Sequence, residues 1–253
     1  MLARAKRRHR SAELARVEDL VCRAVGPEER RGRSPHPAQR PGLHLPGLSA
    51  TPWRDARGSE AASLLCAAAP AIRRELLALL DGGQRFESYT EPDLSTFHTG
   101  RWGALYLRRS FEDLDGAHAL CPETAAAVRA LPRRMDLALF SGMNPGVHAE
   151  PHCGPTNLRL TLHLGLVVPP RCELRVGGEI RTWSDGACLF FDDSFEHEVW
   201  NRGPFTRFVL IASVWHPELT DVETEVLREL LRVGVVPHEE VPLPARWWVP
   251  PPP

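Results

Sequence analysis

The chain has 253 residues, of which 43% are hydrophobic, and a formal net charge of −1 at pH 7. This length suits one large domain or two small ones. The near-zero charge excludes a general attraction to nucleic acid or anionic membranes, so we expect no nucleic-acid partner. No apolar run approaches the roughly 18 residues that span a bilayer, and we therefore expect a soluble chain without a transmembrane segment, cytoplasmic by default. Composition leaves the oligomeric state unknown.

The first 42 residues are predicted to form a basic, poorly ordered extension. Residues 1–10 contain basic side chains and no acid, which is typical of a nuclear signal, a targeting arm or a solvated tail. A short helix is predicted over Ala12–Val25, because leucine and valine recur there at helical spacing before Gly26-Pro27. Residues 28–42 are charged, rich in proline and without apolar anchors, which predicts a linker.

The next ninety residues mix extended segments with helices. Residues 43–57 have no clear period and are predicted to lie extended over the face of a sheet. A helix is predicted near Ser59–Leu80, with Pro70 in its first turn and glycines after its end. Trp102–Arg108 is predicted to be a strand, and a shorter helix is predicted from Pro122 to Arg129.

From Met135 onward the apolar residues alternate with a period of two. The predicted strands cover residues 135–141, 157–168, 172–176, 179–183, 187–192, 196–200 and 206–215, separated by tight-turn sequences. Many short strands joined in this way predict a mainly β fold with flanking helices, an antiparallel jelly-roll with an open mouth. A capping box at Thr220–Glu223 then starts a helix. In the proline-rich tail, Trp247 and Trp248 are expected to pack on the domain or to bind a partner.

Two histidines stand at corresponding places beside neighbouring predicted strands. His152 lies in a segment crowded with turn formers, and His197 follows an acidic turn. Either one alone is typical of a structural or surface histidine, but two imidazoles together can hold a divalent transition metal. Iron sites with two histidines and one acid place the acid two residues after the first histidine, where this chain has Gly154. Either the site has two protein ligands and waters, or there is no metal site.

Two arginines occupy positions that suggest anion binding. In the strand Leu158–Leu164 the leucines face one way, and Arg159, Thr161 and His163 face the other. That polar face belongs either to a strand exposed to solvent or to a strand that lines a cavity. Arg207 interrupts an apolar run, and a buried arginine needs an anion, such as a co-substrate carboxylate.

The acidic residues around His197 have two interpretations. Asp192 and Asp193 are either metal ligands or side-chain caps of a turn. Glu196 and Glu198 flank His197 and are predicted to point away from it by strand alternation.

Three long stretches, HCGPTNLRLTLHLGLVVP, GEIRTWSDGACLFFDDSFEHEVWN and TRFVLIASVWHPEL, resemble the aspartyl/asparaginyl β-hydroxylase family. The resemblance covers residues 43–220 and implies the double-stranded β-helix fold of cupin-like Fe(II)/2-oxoglutarate oxygenases. It also implies that iron is held by histidines alone, so that Gly154 is a family trait. By motif position, it assigns the iron to His152 and His197, the distal carboxylate of 2-oxoglutarate to Ser141 and Arg207, and the surrounding pocket to Met143, Arg159 and His163.

The activity implied by this resemblance is hydroxylation of an unactivated C–H bond with Fe(II), 2-oxoglutarate and dioxygen. The first expected substrate is the β-carbon of Asp or Asn residues in a protein or peptide. Thr161 stands where the animal peptide hydroxylase has a second arginine, which keeps a fatty-acyl chain of a lipid as an alternative. A catalytically silent binding module is the third hypothesis.

The resemblance also sets the expected domain limits. It predicts an oxygenase domain at residues 43–220, followed by a C-terminal helix and tail at 221–253. Similarity to animal family members adds association with the endoplasmic reticulum as an alternative location.

Overall fold

The computed structural model describes residues 11–24, 34–89, 98–232 and 249–252. The helices in that part of the chain are α1 (Ser11–Ala24), α2 (Glu60–Asp81), α3 (Asp115–Leu120), α4 (Pro122–Ala130) and α5 (Asp221–Arg232). The strands are β1 (Glu87–Ser88), β2 (His98–Thr99), β3 (Trp102–Arg109), β4 (Glu112–Asp113), β5 (Arg134–Met143), β6 (His148–His152), β7 (Arg159–Val167), β8 (Cys172–Val176), β9 (Glu179–Thr182), β10 (Cys188–Phe191), β11 (His197–Asn201) and β12 (Arg207–Trp215).

The strands form two antiparallel sheets. The larger sheet has the order β1-β3-β5-β12-β7-β10, with β4 paired to β3, and the smaller sheet has the order β2-β6-β11-β8-β9. Apolar side chains from both sheets meet in one cluster, with Tyr106, Leu139 and Ile211 from the larger sheet and Leu174 and Val199 from the smaller. Two antiparallel sheets facing each other over a shared core form the predicted jelly-roll, and the mainly β fold class with flanking helices is confirmed.

Helices cover the opposite face of the larger sheet. Leu65, Ile72 and Leu76 of α2 pack against Leu162 of β7 and Leu210 of β12. These residues recur on one side of α2, so burying that stripe holds the helix on the sheet. Ser59 caps the helix, because its side-chain oxygen accepts a hydrogen bond from Ala62 N.

The prediction for Pro70 was wrong. Pro70 lies in the interior of α2 rather than in its first turn. The helix continues through it because both halves bury apolar residues against the sheet, which outweighs the missing backbone hydrogen bond.

The predicted helices at the two ends of the described chain are confirmed and pack against each other. Leu14 and Val17 of α1 share a core cluster with Val226 of α5. Arg16 of α1 donates two hydrogen bonds of 2.7 Å to the carboxylate of Glu223. Thr220 and Glu223 exchange the two hydrogen bonds of the predicted capping box. The domain limits at residues 43 and 220 stay predictions.

The remaining features concern the cysteines, the helix lengths and the ends of the chain. All six cysteines are free thiols. Among the described residues, no helix is long and apolar enough to cross a membrane. The basic residues 1–10 and the tail residues Trp247 and Trp248 lie outside the described part of the chain.

Candidate active site

The smaller sheet brings the two predicted metal ligands together. His152 ends β6, His197 begins β11, and the two residues are directly paired across these antiparallel strands. Their imidazole rings lie with centroids 4.1 Å apart, at an angle of 55°. Strand pairing therefore brings together two histidines that are 45 positions apart in sequence, and both rings line the same cavity.

Each ring is held by a backbone carbonyl. The Nδ1 atom of His152 lies 2.6 Å from the carbonyl oxygen of Glu150, and the Nδ1 atom of His197 lies 2.9 Å from that of Phe195. A carbonyl oxygen only accepts hydrogen bonds, so both Nδ1 atoms carry the proton. In the neutral imidazole the lone pair is then on Nε2, the nitrogen that remains for a metal.

Burial keeps His197 neutral. Desolvation lowers the pKa of His197 to about 3, and the neighbouring His152 lowers it further by charge repulsion. A histidine must be unprotonated to bind a metal ion. The site therefore holds at least one of its two imidazoles in the ligating form at neutral pH.

The cavity beside the histidines has walls from both sheets. It measures about 490 Å³, including its part open to solvent, and Thr161 and His163 of β7 are among its lining residues. Strand β7 lies between β12 and β10, and all its residues are buried. The polar face of β7 therefore lines a cavity, and the alternative of a strand exposed to solvent was wrong.

Arg207 is a buried cation at this cavity. It is 1% exposed, and it forms no ion pair with a carboxylate of the described residues. Its Nη2 donates to Ser141 Oγ at 3.1 Å, its guanidinium lies 4.8 Å from the centre of the Trp183 ring, and its Nε has no hydrogen-bond partner in the described part. A buried charge without a counter-charge is costly, so this position favours an anionic ligand.

Ser141 and Met143 lie beside Arg207 on the neighbouring strand. Met143 is its direct partner in the β5–β12 ladder and is fully buried. Ser141 Oγ accepts hydrogen bonds from Arg207 and, at 2.9 Å, from Trp102 Nε1. A hydroxyl has two acceptor positions and one proton. With both acceptor positions used, the Ser141 hydroxyl has its proton left to donate.

Arg159 has carboxylate partners of its own. Its guanidinium bonds Asp193 Oδ2 through Nε at 3.0 Å and through Nη2 at 2.8 Å, and it reaches Asp136 at 3.4 Å. The structure thus places Arg159 next to the site as the partner of Asp193. Its predicted role near co-substrate and substrate stays a prediction.

The two neighbouring aspartates have different environments. Asp192 accepts hydrogen bonds from the backbone N and the hydroxyl of Ser194, as in the predicted turn cap. Burial raises the pKa of Asp192 to about 7. Asp193 lines the cavity, and its Oδ1 is buried without a hydrogen-bond partner among the described residues. Asp193 thus lies in the cavity wall with the two histidines, whereas Asp192 caps the turn.

Gly154 shows why no acid follows the first histidine. Its backbone N donates to the carbonyl oxygen of Asp193 at 2.7 Å, and a Cβ atom on it would lie 2.8 Å from Asp193 Cγ. Any side chain at this position would displace the Asp193 carboxylate. The described residues contain no group of three or more His, Cys, Asp or Glu that could hold a metal ion. A metal here would therefore have His152 and His197 as its protein ligands.

Two glutamates point away from the site, as predicted. Glu196 pairs with Arg40 and Arg175 on the outer side of the smaller sheet, and Glu198 pairs with Arg175.

Curated relatives are similar to this chain over more than half of its length. The chain is 36% identical to human "Aspartyl/asparaginyl beta-hydroxylase" over 199 residues, which cover 76% of this chain and 26% of that protein. It is 36% identical to human "Aspartate beta-hydroxylase domain-containing protein 1" over 245 residues, which cover 87% of this chain and 58% of that protein. It is 36% identical to "Ornithine lipid ester-linked acyl 2-hydroxylase" of Rhizobium tropici over 154 residues, which cover 58% of this chain and 54% of that protein. The chain thus spans from a quarter to somewhat over half of these relatives.

A solved structure of a prolyl hydroxylase from Trichoplax adhaerens, in complex with a hypoxia inducible factor peptide, shows a partial likeness. The TM-score is 0.45 at 12% identity, over 65% of this chain and 81% of that one. The model of the family described as Aspartyl/asparaginyl beta-hydroxylase matches residues 67–217, which include all seven predicted site residues. This match covers more than half of the chain, and the chain belongs to the aspartyl/asparaginyl β-hydroxylase family.

Proposed function

We propose that this chain is an Fe(II)- and 2-oxoglutarate-dependent oxygenase that hydroxylates an unactivated C–H bond. One observation supports this most directly: a single cavity is lined by two imidazoles whose Nδ1 atoms bond backbone carbonyls and by a buried arginine without a carboxylate partner among the described residues. Family membership agrees with it.

The donor set fits a divalent iron ion. His152 and His197 each direct Nδ1–H to a backbone carbonyl, which leaves two Nε2 lone pairs in the cavity. Imidazole nitrogen is a suitable ligand for Fe(II), and two protein ligands leave coordination positions for small molecules. When bound, iron with 2-oxoglutarate and dioxygen supplies the oxidising power for C–H hydroxylation.

The other end of the cavity fits one carboxylate of 2-oxoglutarate. The Arg207 guanidinium offers charge, and the Ser141 hydroxyl has a proton to donate. Together they form a charge-assisted site for a carboxylate oxygen pair. Met143 and the Trp183 ring lie beside Arg207 and exclude water from it. These residues would hold the co-substrate by its distal end, with the other end towards the histidines.

The proposed substrate is an Asp or Asn residue of a protein or peptide, hydroxylated at its β-carbon. Two of the relatives carry aspartate or asparagine hydroxylation in their names. The Rhizobium relative, named as an acyl 2-hydroxylase, keeps a fatty-acyl chain as second candidate. Apolar cavity residues favour that candidate: Leu137, Val199 and Ile211. The catalytic unit is proposed to lie within residues 43–220.

The test is release of succinate from 2-oxoglutarate by the purified chain with Fe(II). A panel of peptides containing Asp or Asn is compared with a panel of ester-linked acyl lipids, and the mass of each product is measured. We expect succinate release and a product heavier by one oxygen atom in one panel. Hydroxylation of lipids alone would overturn the peptide assignment. No succinate release with any substrate, by a folded protein that contains iron, would overturn the proposed activity.

A further inference from the structure

A segment outside the family match lies directly on the site. Residues 34–40, here called the strap, pair with residues 192–196, here called the site turn. Arg40 N donates to Ser194 O at 3.2 Å, and Glu196 N donates to Ala38 O at 2.6 Å. These bonds flank an antiparallel bridge between Gln39 and Phe195. The strap thus adds a short extra strand to the turn that leads into β11.

Gln39 is the buried anchor of the strap. It is 3% exposed, whereas Arg40 beside it faces solvent. Its amide nitrogen donates to Ser194 Oγ at 2.9 Å and to Asp192 Oδ2 at 3.2 Å, and its amide oxygen accepts from Ser34 Oγ at 2.5 Å. Both polar atoms of this side chain form hydrogen bonds, and two of its partners, Asp192 and Ser194, are buried residues of the site turn.

The site turn carries the groups that hold the site. Phe195 O is the acceptor for His197 Nδ1, at 2.9 Å. Asp193 O accepts from Gly154 N at 2.7 Å, two residues after His152. The backbone of the site turn therefore sets the ring orientation of one histidine and the position of the segment that follows the other. A shift of this backbone would turn the His197 ring.

We infer that Gln39 is a positioning residue, which fixes the site turn so that Phe195 O holds the His197 imidazole with its Nε2 towards the cavity. This inference rests on the proposed function only for the identity of the metal. Partners of a ligating histidine that bond its second ring nitrogen typically change metal affinity by about 10- to 100-fold when they are removed. Gln39 does not contact the histidine itself and acts through the Phe195 carbonyl. We therefore expect its removal to weaken metal binding by about tenfold, the lower end of this range.

The first test compares Gln39→Met with Arg40→Ala. The methionine has similar length but lacks all three hydrogen bonds, and the alanine removes an exposed ion pair of the same strap without changing its backbone bonds. Anaerobic titration with Fe(II) is expected to show about tenfold weaker binding for Gln39→Met and less than about twofold change for Arg40→Ala. Equal iron affinity of the parent and Gln39→Met would overturn the inference. A parent chain that does not bind Fe(II) would instead overturn the proposed function.

The second test needs no metal. In protein labelled with ¹⁵N-histidine, solvent exchange of the two Nδ1–H groups is followed by NMR. His152 is the internal control. The site turn contacts the segment that follows His152, at Gly154, but the carbonyl partner of its Nδ1 is Glu150, which precedes it and lies outside the site turn. We expect exchange at His197 to become about tenfold faster in Gln39→Met while exchange at His152 is unchanged. Equal acceleration at both would indicate general loosening and overturn the inference, as would no change at either.

A milder variant keeps this test decisive if Gln39→Met does not fold. Ser34→Ala removes only the hydrogen bond that fixes the Gln39 amide oxygen. It is expected to accelerate His197 exchange in the same direction and by a smaller factor. Unchanged His197 exchange in Ser34→Ala, together with failure of Gln39→Met to fold, would assign Gln39 to folding alone and overturn the positioning role.

Discussion

Replacing Arg207 by methionine should weaken co-substrate binding without destabilising the protein. Arg207 is a fully buried cation that bonds Ser141 and lies over Trp183, and no carboxylate in the described residues balances it. Charge-assisted hydrogen bonds to the 2-oxoglutarate carboxylate contribute about 1.5–3 kcal/mol, so Arg207→Met should raise its dissociation constant about ten- to a hundredfold. Because no buried counter-charge is left behind, the free energy of unfolding should change by less than about 1 kcal/mol.

Arg108 provides a matched control for this substitution. It is also a buried arginine, but it donates to Asp113 and to the carbonyl oxygen of Met135. Arg108→Met leaves these acceptors unpaired and should reduce the free energy of unfolding by about 1–3 kcal/mol, with unchanged 2-oxoglutarate affinity.

The assay combines calorimetric titration of 2-oxoglutarate with denaturant unfolding of both variants. A folded Arg207→Met protein that binds 2-oxoglutarate like the parent would show that Arg207 does not hold the co-substrate carboxylate. Loss of several kcal/mol of stability on this substitution would show that Arg207 is a structural cation.

Three further predictions concern the metal site and its surroundings. His152→Ala and His197→Ala should each lose Fe(II) binding in anaerobic titrations, because a site with two protein ligands has no redundancy; retained affinity in both would contradict the assignment. Gly154→Ala should weaken Fe(II) binding and cost about 1–3 kcal/mol of stability, since its Cβ would lie 2.8 Å from a site carboxylate, whereas Gly178→Ala has open space and should change neither. As pH falls from 7 to 5, the free energy of unfolding should decrease, because the unfolded chain protonates imidazoles near pH 6.5 while the folded-state pKa of His197 is about 3. The pKa of Asp192, about 7, acts in the opposite direction, so Asp192→Asn should make this decrease steeper in denaturant titrations at several pH values.

The fold could be predicted from sequence wherever the apolar period was regular. Strands β7 and β12 and helix α5 appeared close to their observed limits, because alternation or a capping box marks them. Strand β6 was missed. Its sequence HAEPH includes a proline and only one buried residue, so its extended form depends on pairing with β11, which is distant in sequence.

The sequence named candidate site residues but not their contacts. His152, His197 and Arg207 were chosen by residue type and position, and Ser141 by the family resemblance. In the structure the first three line one cavity, and Ser141 bonds Arg207. Their partners could not be read from the sequence. The burial of Gln39 within a proline-rich segment depends on hydrogen bonds to residues more than 150 positions away. Composition shows only whether a segment has apolar residues that could bury it. Gln39 is polar, and hydrogen bonds to Asp192 and Ser194 hold it instead.

The most direct test of the central claim is anaerobic binding of 2-oxoglutarate to the purified chain, measured with and without Fe(II). We predict one 2-oxoglutarate per chain, bound more tightly when Fe(II) is present, because the two ends of the molecule would engage the iron and the Arg207–Ser141 pair. Absence of 2-oxoglutarate binding by the folded, iron-containing protein would contradict the proposed oxygenase site, and so would binding that is unaffected by iron.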